Sequence, residues 1–457
     1  MEFFVYDLIF LFLFLVFVVV FLVKNKASLK REGLIFLYRA KWGMNLIDYI
    51  GEKYTKTLHF LKYVSISLGF VLMGTMIYLL WKNLYLYIKI PELSQIIKAP
   101  PIAPLIPYFP KLYGMESLFP PFYFTYFLIA LGIVAITHEF SHGIFMRLFN
   151  IKIKSTGLAF FGPFLGAFVE EDKNSFTKKN NLGQMSVLSA GAFANIITAI
   201  VFFLVLIAFF YISFSPGGYS FNTYTYSFIP INESEITNQT LGNLTIVYYQ
   251  NSTYYLDGFL RQQLGKNLSN IAAYDNTPAV ISGLTGTIIK IDKKRISNQN
   301  SLKDFMSNSS PGQRVLVVTD DGKQLKEYNF TLAKNPIDPT KGYLGVGFLS
   351  TNPSGIFARF ISLLKFKDPS TNYVPRYDGS FAYFIYYLFW WVALISALVG
   401  LFNMLPLGIL DGGRFFYLAV LSITKSKKIS EYSFKIISAL ILFVFLFLTL
   451  IWFVRLF

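Results

Sequence analysis

Long runs of apolar residues, separated by polar stretches, dominate the sequence. Six of these runs are long enough to cross a bilayer, which takes roughly 20 residues of α-helix. The first run has no basic segment before it and no small-residue cleavage site after it, so it predicts a retained helix and not a signal peptide. The pattern predicts a polytopic α-helical membrane protein. The runs lie at about residues 3–23, 63–81, 122–146, 185–214, 381–404 and 433–455.

One polar insertion, residues 215–378, interrupts the apolar runs. Its second half shows apolar patterning with a period of two at 287–291, 314–318 and 328–332, with turn signals between these stretches. Alternation of that kind is typical of half-buried β-strands. A short helix is expected at about 301–307. The insertion therefore predicts a small β domain, although the Tyr-, Asn- and Ser-rich stretch 215–275 predicts no particular fold.

Composition supports the membrane interpretation. The chain has 457 residues, of which 54% are hydrophobic and 14% are charged. Soluble proteins average about 25% charged residues. The net charge of +16 does not indicate nucleic-acid binding, because the basic residues flank the apolar runs instead of forming one stripe. They predict contact with anionic membrane lipid.

Charge also predicts the orientation in the membrane. Lysine and arginine concentrate in alternate loops, at 24–62, 147–184 and 425–435. Such loops are usually cytoplasmic, which places both termini and residues 215–378 outside the cell membrane. A second pattern agrees, since every N-x-S/T sequon falls in that outer segment. The sequons begin at Asn232, Asn238, Asn243, Asn251, Asn267, Asn308 and Asn329.

The third apolar run contains the motif H-E-x-x-H. On a helix, His138 and His142 lie one turn apart on the same face and can hold one metal ion. Glu139 beside them is a candidate general base. The non-functional alternative is two core histidines and a solvated glutamate. A solvated face is not expected within a membrane span, where an ionisable residue usually indicates a functional site.

Two histidines leave a catalytic zinc site one protein ligand short. The chain has no cysteine, and its third histidine, His59, lies in the basic first loop. A carboxylate must therefore complete the set. Asp411 is the best candidate, because it ends the fifth apolar run, and topology places it in the same half of the bilayer as His138 and His142. The alternative for Asp411 is a helix cap.

These motifs together resemble the site-2 protease family of intramembrane zinc metalloproteases. The residues that match its second motif, N-x-x-P-x-x-x-L-D-G, are Asn403, Pro406, Leu410, Asp411 and Gly412. The resemblance implies zinc as the cofactor, held by the two histidines and Asp411, and a transmembrane protein as the substrate. It covers residues 122–214 and 381–420.

The transition state of peptide hydrolysis needs an oxyanion donor besides zinc. No histidine remains for this role, so the candidates are Asn403 and Asn195, and the alternative for each is a bridge between helices. Asn195 ends a stretch similar to the family's G-P-x-x-N, with Ala192 in place of the proline. The Gly- and Pro-rich stretch 157–170 is expected to form a short re-entrant hairpin whose edge pairs with an unwound substrate, or else an ordinary turn.

Within the outer segment, about 275–348 resembles a PDZ domain of the bacterial type. Residues 278–292 follow that pattern, with one residue missing between Leu284 and Gly286. The resemblance implies a peptide ligand, and the alternative is a β spacer. Four regions are expected: 1–121 with two transmembrane helices, 122–214 with the histidines, 215–378 outside, and 379–457 with Asp411.

The sequence thus predicts a zinc-dependent intramembrane endopeptidase that performs regulated intramembrane proteolysis. Two other hypotheses stay open. One is a membrane scaffold with a vestigial zinc site. The other is a different H-E-x-x-H membrane protease that acts on lipidated tails, which takes a glutamate as its third ligand.

Overall fold

The computed structural model describes residues 3–33, 35–90, 100, 105–162, 164–230, 236–261, 270–349 and 365–456. The chain divides into two compact units. The helical unit comprises Met1–Phe209 and Tyr383–Phe457, and the β unit comprises Phe210–Ala382. Each is described by itself below.

Within the described residues, six helices are long and apolar enough to cross a membrane: α1, α3, α5, α7, α11 and α13. The predicted number of helices with this length and hydropathy is confirmed. The helices are longer than the predicted apolar runs, because their ends, which carry lysine and tyrosine, are also helical. Helix α3 shows this most clearly. The helices are α1 Phe3–Lys24, α2 Met44–Lys53, α3 Thr55–Lys89, α4 Phe109–Leu112, α5 Phe124–Leu148, α6 Lys173–Thr177, α7 Asn181–Ser213, α8 Gly258–Arg261, α9 Pro278–Ile281, α10 Gln299–Ser307, α11 Gly379–Asn403, α12 Asp411–Thr424 and α13 Lys427–Leu456.

A four-stranded antiparallel sheet belongs to the helical unit, in the order β1-β2-β3-β4. The stretch expected to form a hairpin does so: β3 and β4 pair from Phe161↔Phe164 to Ile153↔Glu171. Gly162, with φ 57°, supplies the turn between them. Because β4 ends the sheet, no strand among the described residues lies beside its outer edge. The strands are β1 Leu29–Glu32, β2 Ile35–Ala40, β3 Ile153–Phe161 and β4 Phe164–Glu171.

Helix α5 lies close to α2 and α7 because small residues face those helices. A Cβ on Gly143 would meet Ile47 Cδ1 of α2 at 2.8 Å. Ser141 Oγ donates to Ala190 O of α7 at 2.9 Å. Close approach of this kind is how helices associate in lipid, where burial of apolar surface gives little driving force. The middle of α5 is thereby fixed against two neighbours.

The first turn of α5 is fixed by a carboxylate from α1. Asp7 is 1% exposed and accepts four hydrogen bonds. The donors are the backbone N–H groups of Phe124 (2.8 Å) and Thr125 (2.9 Å), Tyr108 Oη (2.6 Å) and Thr125 Oγ1 (2.5 Å). The first N–H groups of a helix have no partner within it, and a negative charge at that end is favourable. Asp7 therefore caps a helix to which it does not belong.

The β unit contains two larger sheets. One is ordered β15-β14-β12-β5-β19, with β13 paired to β12, and the other is ordered β7-β11-β10-β9-β8. The predicted strands at 287–291, 314–318 and 328–332 and the helix at 301–307 correspond to β12, β14, β15 and α10. The core of this part includes Ile288, Ile291, Leu302 and Val317.

The stretch 215–275, for which the sequence predicted no fold, supplies all five strands of the second sheet. The strands of the β unit are β5 Phe214–Tyr219, β6 Thr223–Tyr224, β7 Tyr226–Ile229, β8 Ile236–Leu241, β9 Leu244–Tyr249, β10 Ser252–Leu256, β11 Ile271–Asp275, β12 Thr287–Ile291, β13 Lys294–Arg295, β14 Arg314–Asp320, β15 Leu325–Thr331, β16 Ala333–Lys334, β17 Gly342–Tyr343, β18 Val346–Gly347 and β19 Thr371–Pro375.

Candidate metal centre

The three residues predicted as ligands converge in the helical unit. His138 and His142 project from one face of α5, and Asp411 begins α12. The Nε2 atoms of the two histidines lie 3.0 Å apart. Asp411 Oδ2 lies 3.2 Å from His138 Nε2 and 3.3 Å from His142 Nε2. Donor atoms that share a tetrahedral zinc ion at 2.0–2.1 Å lie about 3.3 Å from one another, so this triangle has the size of one face of such a site.

A glycine makes room for the two imidazoles. Gly191 of α7 faces them, and a Cβ at that position would lie 2.5 Å from the Nε2 atoms of both His138 and His142. Any side chain there would occupy the space in which the donor atoms meet. Glycine at position 191 is therefore required by packing at the centre.

The other ring nitrogen of each histidine has a fixed neighbour. His142 Nδ1 lies 2.7 Å from the carbonyl oxygen of Val187, and His138 Nδ1 lies 3.0 Å from the side-chain amide of Asn195. Both neighbours belong to α7. A histidine that offers Nε2 to a metal carries its proton on Nδ1 and needs an acceptor there. Val187 O is such an acceptor.

Asn195 supplies the same acceptor when its amide oxygen faces His138. The side chain is fully buried, and Asn195 Oδ1 has no hydrogen-bond partner among the described residues while Nδ2 faces the imidazole. Turning the amide brings Oδ1 to the protonated Nδ1 and gives the buried oxygen a partner. An unpartnered buried polar atom is costly. The surroundings of both histidines thus fit a metal held at Nε2.

Glu139 reaches from α5 to the sheet. Its Oε2 accepts a hydrogen bond of 2.9 Å from the backbone N–H of Val169 in β4. The Val169 N–H therefore points away from β3, and by the alternation of a strand Ala167 and Leu165 present their backbone groups along the same edge. One carboxylate oxygen is held at the end of a free strand edge.

A cavity of about 290 Å³ adjoins these groups. Its polar lining residues are His138, Glu139, Asn403 and Asp411. The remaining lining residues are apolar: Leu131, Val134, Ala135, Val399, Ile409 and Leu410. The cavity can accept an apolar side chain beside a polarised peptide group.

The connection from α11 to α12 carries Asp411 to this cavity. Two glycines allow the chain to fold back on itself: a Cβ on Gly412 would lie 2.3 Å from Met404 C, and one on Gly413 would lie 2.2 Å from Leu407 O. Ser438 Oγ of α13 donates to Pro406 O at 2.7 Å. Backbone groups freed by a proline within a span need such partners. The carboxylate of Asp411 is therefore carried on a rigid turn.

The remaining sequence candidates are placed differently. Asn403 lines the cavity, whereas Asn195 contacts the far side of the His138 ring. His59 is exposed and lies beside Lys62, with 3.4 Å between His59 Nδ1 and Lys62 Nζ. Sequence reasoning missed the contacts of Gly191, Val187 and Val169. Gly191 could have been suspected as the glycine of the short S-A-G-A stretch before Asn195, but the two backbone contacts have no sequence signal.

Comparison with known proteins agrees with this geometry. The family model described as peptidase family M50 matches residues 126–449, which is more than half of the chain. An uncharacterised protein of Methanocaldococcus jannaschii is 44% identical over 71 residues, which cover 15% of this chain and 19% of that protein. The chain thus aligns with about a fifth of the length of this curated relative.

Proposed function

The chain belongs to peptidase family M50, the site-2 protease family, and on that premise we propose that it is a zinc-dependent intramembrane endopeptidase that cleaves transmembrane segments of membrane proteins. The observation that carries the proposal is the triangle of donor atoms from His138, His142 and Asp411. His138 and Asp411 line one cavity with Glu139, and the histidines and Glu139 lie on α5, a helix long and apolar enough to cross a membrane.

In this proposal the two histidines and Asp411 hold zinc. When bound there, zinc acts as a Lewis acid that polarises the scissile carbonyl and lowers the pKa of water. Asn195 and Val187 O keep the protons of the histidines on Nδ1. They are positioning groups, because they act through the imidazoles.

Glu139 is the general base and then the general acid. It takes a proton from the attacking water and delivers it to the nitrogen of the departing amine. The hydrogen bond from Val169 N–H holds one oxygen of Glu139, which leaves the other free to exchange the proton. The bond also ties the base to the strand edge that receives the substrate.

Asn403 is the proposed oxyanion donor. The support for this role is that Asn403 lines the same cavity as His138, Glu139 and Asp411. Asn195 was the second candidate for this role, but its side chain contacts His138 Nδ1. We therefore assign Asn195 the orientation of His138 instead.

The substrate must present an extended peptide, because a helix hides its carbonyl groups in its own hydrogen bonds. The free edge of β4 can pair with such a segment. Leu131 lines the cavity and also a second, largely apolar cavity of about 260 Å³, to which Leu11, Phe14 and Leu165 contribute. An uncharged apolar stretch, as found in transmembrane segments, fits this lining.

Location and partners follow from the sequence arguments. We place the protein in the cell membrane with both termini and the β unit outside, and its basic loops against anionic lipid. The PDZ-like part of the β unit would bind a peptide by strand addition. In regulated intramembrane proteolysis, that part would select substrates already shortened outside.

The experiment compares zinc content and cleavage in full-length purified protein. The wild type is expected to hold about one zinc per chain and to cleave a single-span apolar reporter. Glu139→Gln should keep its zinc and lose at least about 100-fold in cleavage rate, the scale of general-base catalysis. His142→Ala should lose both.

His59→Ala is the matched control, because this exposed histidine lies away from the centre, and it should keep zinc and cleavage. Cleavage by Glu139→Gln at the wild-type rate would contradict the mechanism. Wild-type protein that holds zinc but never cleaves membrane-embedded reporters would favour the scaffold hypothesis. Cleavage confined to lipidated tails would favour the third one.

A further inference from the structure

Sequons are concentrated in one part of the chain to an unusual degree. Seven of the fifteen asparagines in residues 215–378 begin an N-x-S/T sequon, and none of the nine elsewhere does. Sequence alone cannot tell which of the seven are accessible. Among those whose side chains the structure describes, Asn243, Asn251 and Asn308 lie in turns or at a helix end, and the fourth, Asn329, is an exposed residue of strand β15.

Two sequon asparagines occupy the tips of adjacent hairpins. Leu241 pairs with Leu244, so the β8–β9 turn consists of Gly242 and Asn243. Gly242 has φ 58°, as expected for the first residue of a type II′ turn. Asn243 is the second turn residue and is exposed.

Asn251 occupies the same position in the next hairpin. Tyr249 pairs with Ser252, which leaves Gln250 and Asn251 as the β9–β10 turn. Their φ angles are 46° and 60°, and two positive values identify a type I′ turn. Glycine usually fills the second position. Asparagine is one of the few other residues that accept this conformation, and Asn251 is exposed.

Asn308 begins a sequon in a different setting, at the C-terminal end of helix α10. Its side chain is exposed, but its Nδ2 donates to Asp304 O at 2.8 Å and so caps the end of α10. A glycan on this nitrogen would disturb the cap. Asn308 is thus an internal control in the same unit.

From these settings we infer that Asn243 and Asn251 are N-glycosylation sites. The acceptor Nδ2 forms a bond to the anomeric carbon of a sugar and gives up one proton. The bond from that carbon to the phosphate of a lipid-linked oligosaccharide breaks, and the lipid phosphate leaves. A glycan is bulky and solubilising, and both tips have room for one. The inference needs the β unit to lie outside the membrane and does not depend on proteolysis.

The test uses the full-length protein in the membranes of a host that has an oligosaccharyltransferase, with a secreted sequon-bearing reporter as positive control. Glycopeptide mass spectrometry is expected to find a glycan on Asn243 and on Asn251 and none on Asn308. Thr245→Val and Thr253→Val destroy the two sequons with isosteric side chains and leave both turns intact. Each should remove one glycan and increase gel mobility by one step, whereas Asn308→Gln should change nothing.

The opposite outcomes overturn the inference. Unmodified Asn243 and Asn251 beside a modified reporter would do so, as would a glycan on Asn308 with the two hairpin tips bare. Asn243→Gln and Asn251→Gln replace the acceptor asparagine instead of the threonine of each sequon. Each site is therefore tested by two variants, and one result remains if the other variant folds poorly.

Discussion

Asp7 and Asp411 are both carboxylates within the helical unit, and their surroundings differ in kind. Asp7 is 1% exposed and accepts from two backbone N–H groups and two hydroxyls. Asp411, whose side chain is 23% exposed, faces two imidazole nitrogens at 3.2 and 3.3 Å and the cavity beside them. The first is surrounded by neutral donors, and the second by groups that also bind metals.

The difference shows how a costly buried charge can be used. Neutral donors that converge on Asp7 satisfy its oxygens without any further ligand, so the cluster is complete as a structural cap. Two histidines and a carboxylate are donors to a cation as much as to one another. Burial alone does not distinguish a functional carboxylate from a structural one; the chemistry of its neighbours does.

The largest difference in zinc binding is expected when each of the two carboxylates is replaced by an amide. Asp411→Asn removes the negative ligand, and its zinc affinity should fall by roughly 100-fold or more, beyond what changes to supporting residues cause. Asp7→Asn should hold as much zinc as the wild type. Zinc per chain, measured by elemental analysis after dialysis, gives the answer. Equal losses in both variants would mean that the two carboxylates do not differ in function.

The second prediction concerns the space between the ligands. Gly191→Ala places a Cβ 2.5 Å from both Nε2 atoms, so the imidazoles must separate and zinc should be lost almost as fully as in Asp411→Asn. Gly132→Ala is the matched control on α5, because no described atom of another segment lies within 4 Å of the Cβ it would add. Full zinc occupancy in Gly191→Ala would contradict the tight triangle.

A smaller effect on zinc binding is expected from Asn195, which contacts the other ring nitrogen of His138. Asn195→Ala removes the acceptor at His138 Nδ1 and should weaken zinc binding about 10- to 100-fold. Cleavage should recover when zinc is added, since the three ligands remain. Asn181→Ala is the control on the same helix, because the Asn181 side chain donates to Ser422 away from the centre. Loss of cleavage that no zinc concentration restores would mean that Asn195 itself contacts the substrate.

The same contrast explains how far the sequence could predict the site. H-E-x-x-H sets its own geometry, because spacing along one helix fixes which side chains share a face. Asp411 was predicted as a ligand only with topology and a second motif. Asp7 was missed because nothing in its run of apolar neighbours shows that Thr125 and Tyr108 lie beside it. Contacts between distant backbone groups, such as Val169 N–H with Glu139, leave no pattern in either segment.

The β unit was predicted unevenly for a related reason. Strand β14 contains four consecutive aliphatic residues, 315–318, and was predicted directly. Strand β9, Leu244–Tyr249, also buries alternate residues, with Thr245 at 5% and Val247 at 0% exposure. Its buried face carries a threonine and its other face carries leucine and tyrosine, so hydropathy does not follow burial and the period of two is obscured.

The carboxylate of Asp7 should affect the stability of the fold and not zinc binding or cleavage. Asp7→Asn keeps the shape but loses the charge that strengthens four hydrogen bonds, and charged hydrogen bonds contribute about 1.5–3 kcal/mol each relative to an unmade bond. We expect the helical unit to lose roughly 3 kcal/mol of unfolding free energy, since part of each bond survives. Denaturant titration of detergent-solubilised protein measures this. An unchanged midpoint would mean that the cap of α5 contributes nothing.

The smallest effect is expected at a carboxylate in water. The Asp321 side chain in the β14–β15 turn accepts from the backbone N–H groups of Lys323 and Gln324 and pairs with Lys326 at 2.9 Å. The Gln324 amide foremost, then Lys326, holds the pKa of Asp321 below its usual range. A lowered pKa means that the stabilisation is present above the unfolded-state pKa of about 3.9 and is lost as pH falls through the folded-state value.

Asp321→Asn should therefore loosen this hairpin at pH 6 and make little difference once the wild-type carboxyl is itself protonated. Hydrogen–deuterium exchange of the peptide spanning 314–331 in the full-length protein, corrected for intrinsic rates, measures the opening. Zinc content should not change at any pH where the wild type keeps its metal. A variant effect that grows as pH falls would reverse the sign argued here. The expected results together would rank three carboxylates by their surroundings: Asp411 at a cation site, Asp7 within a complete set of donors, and Asp321 in solvent.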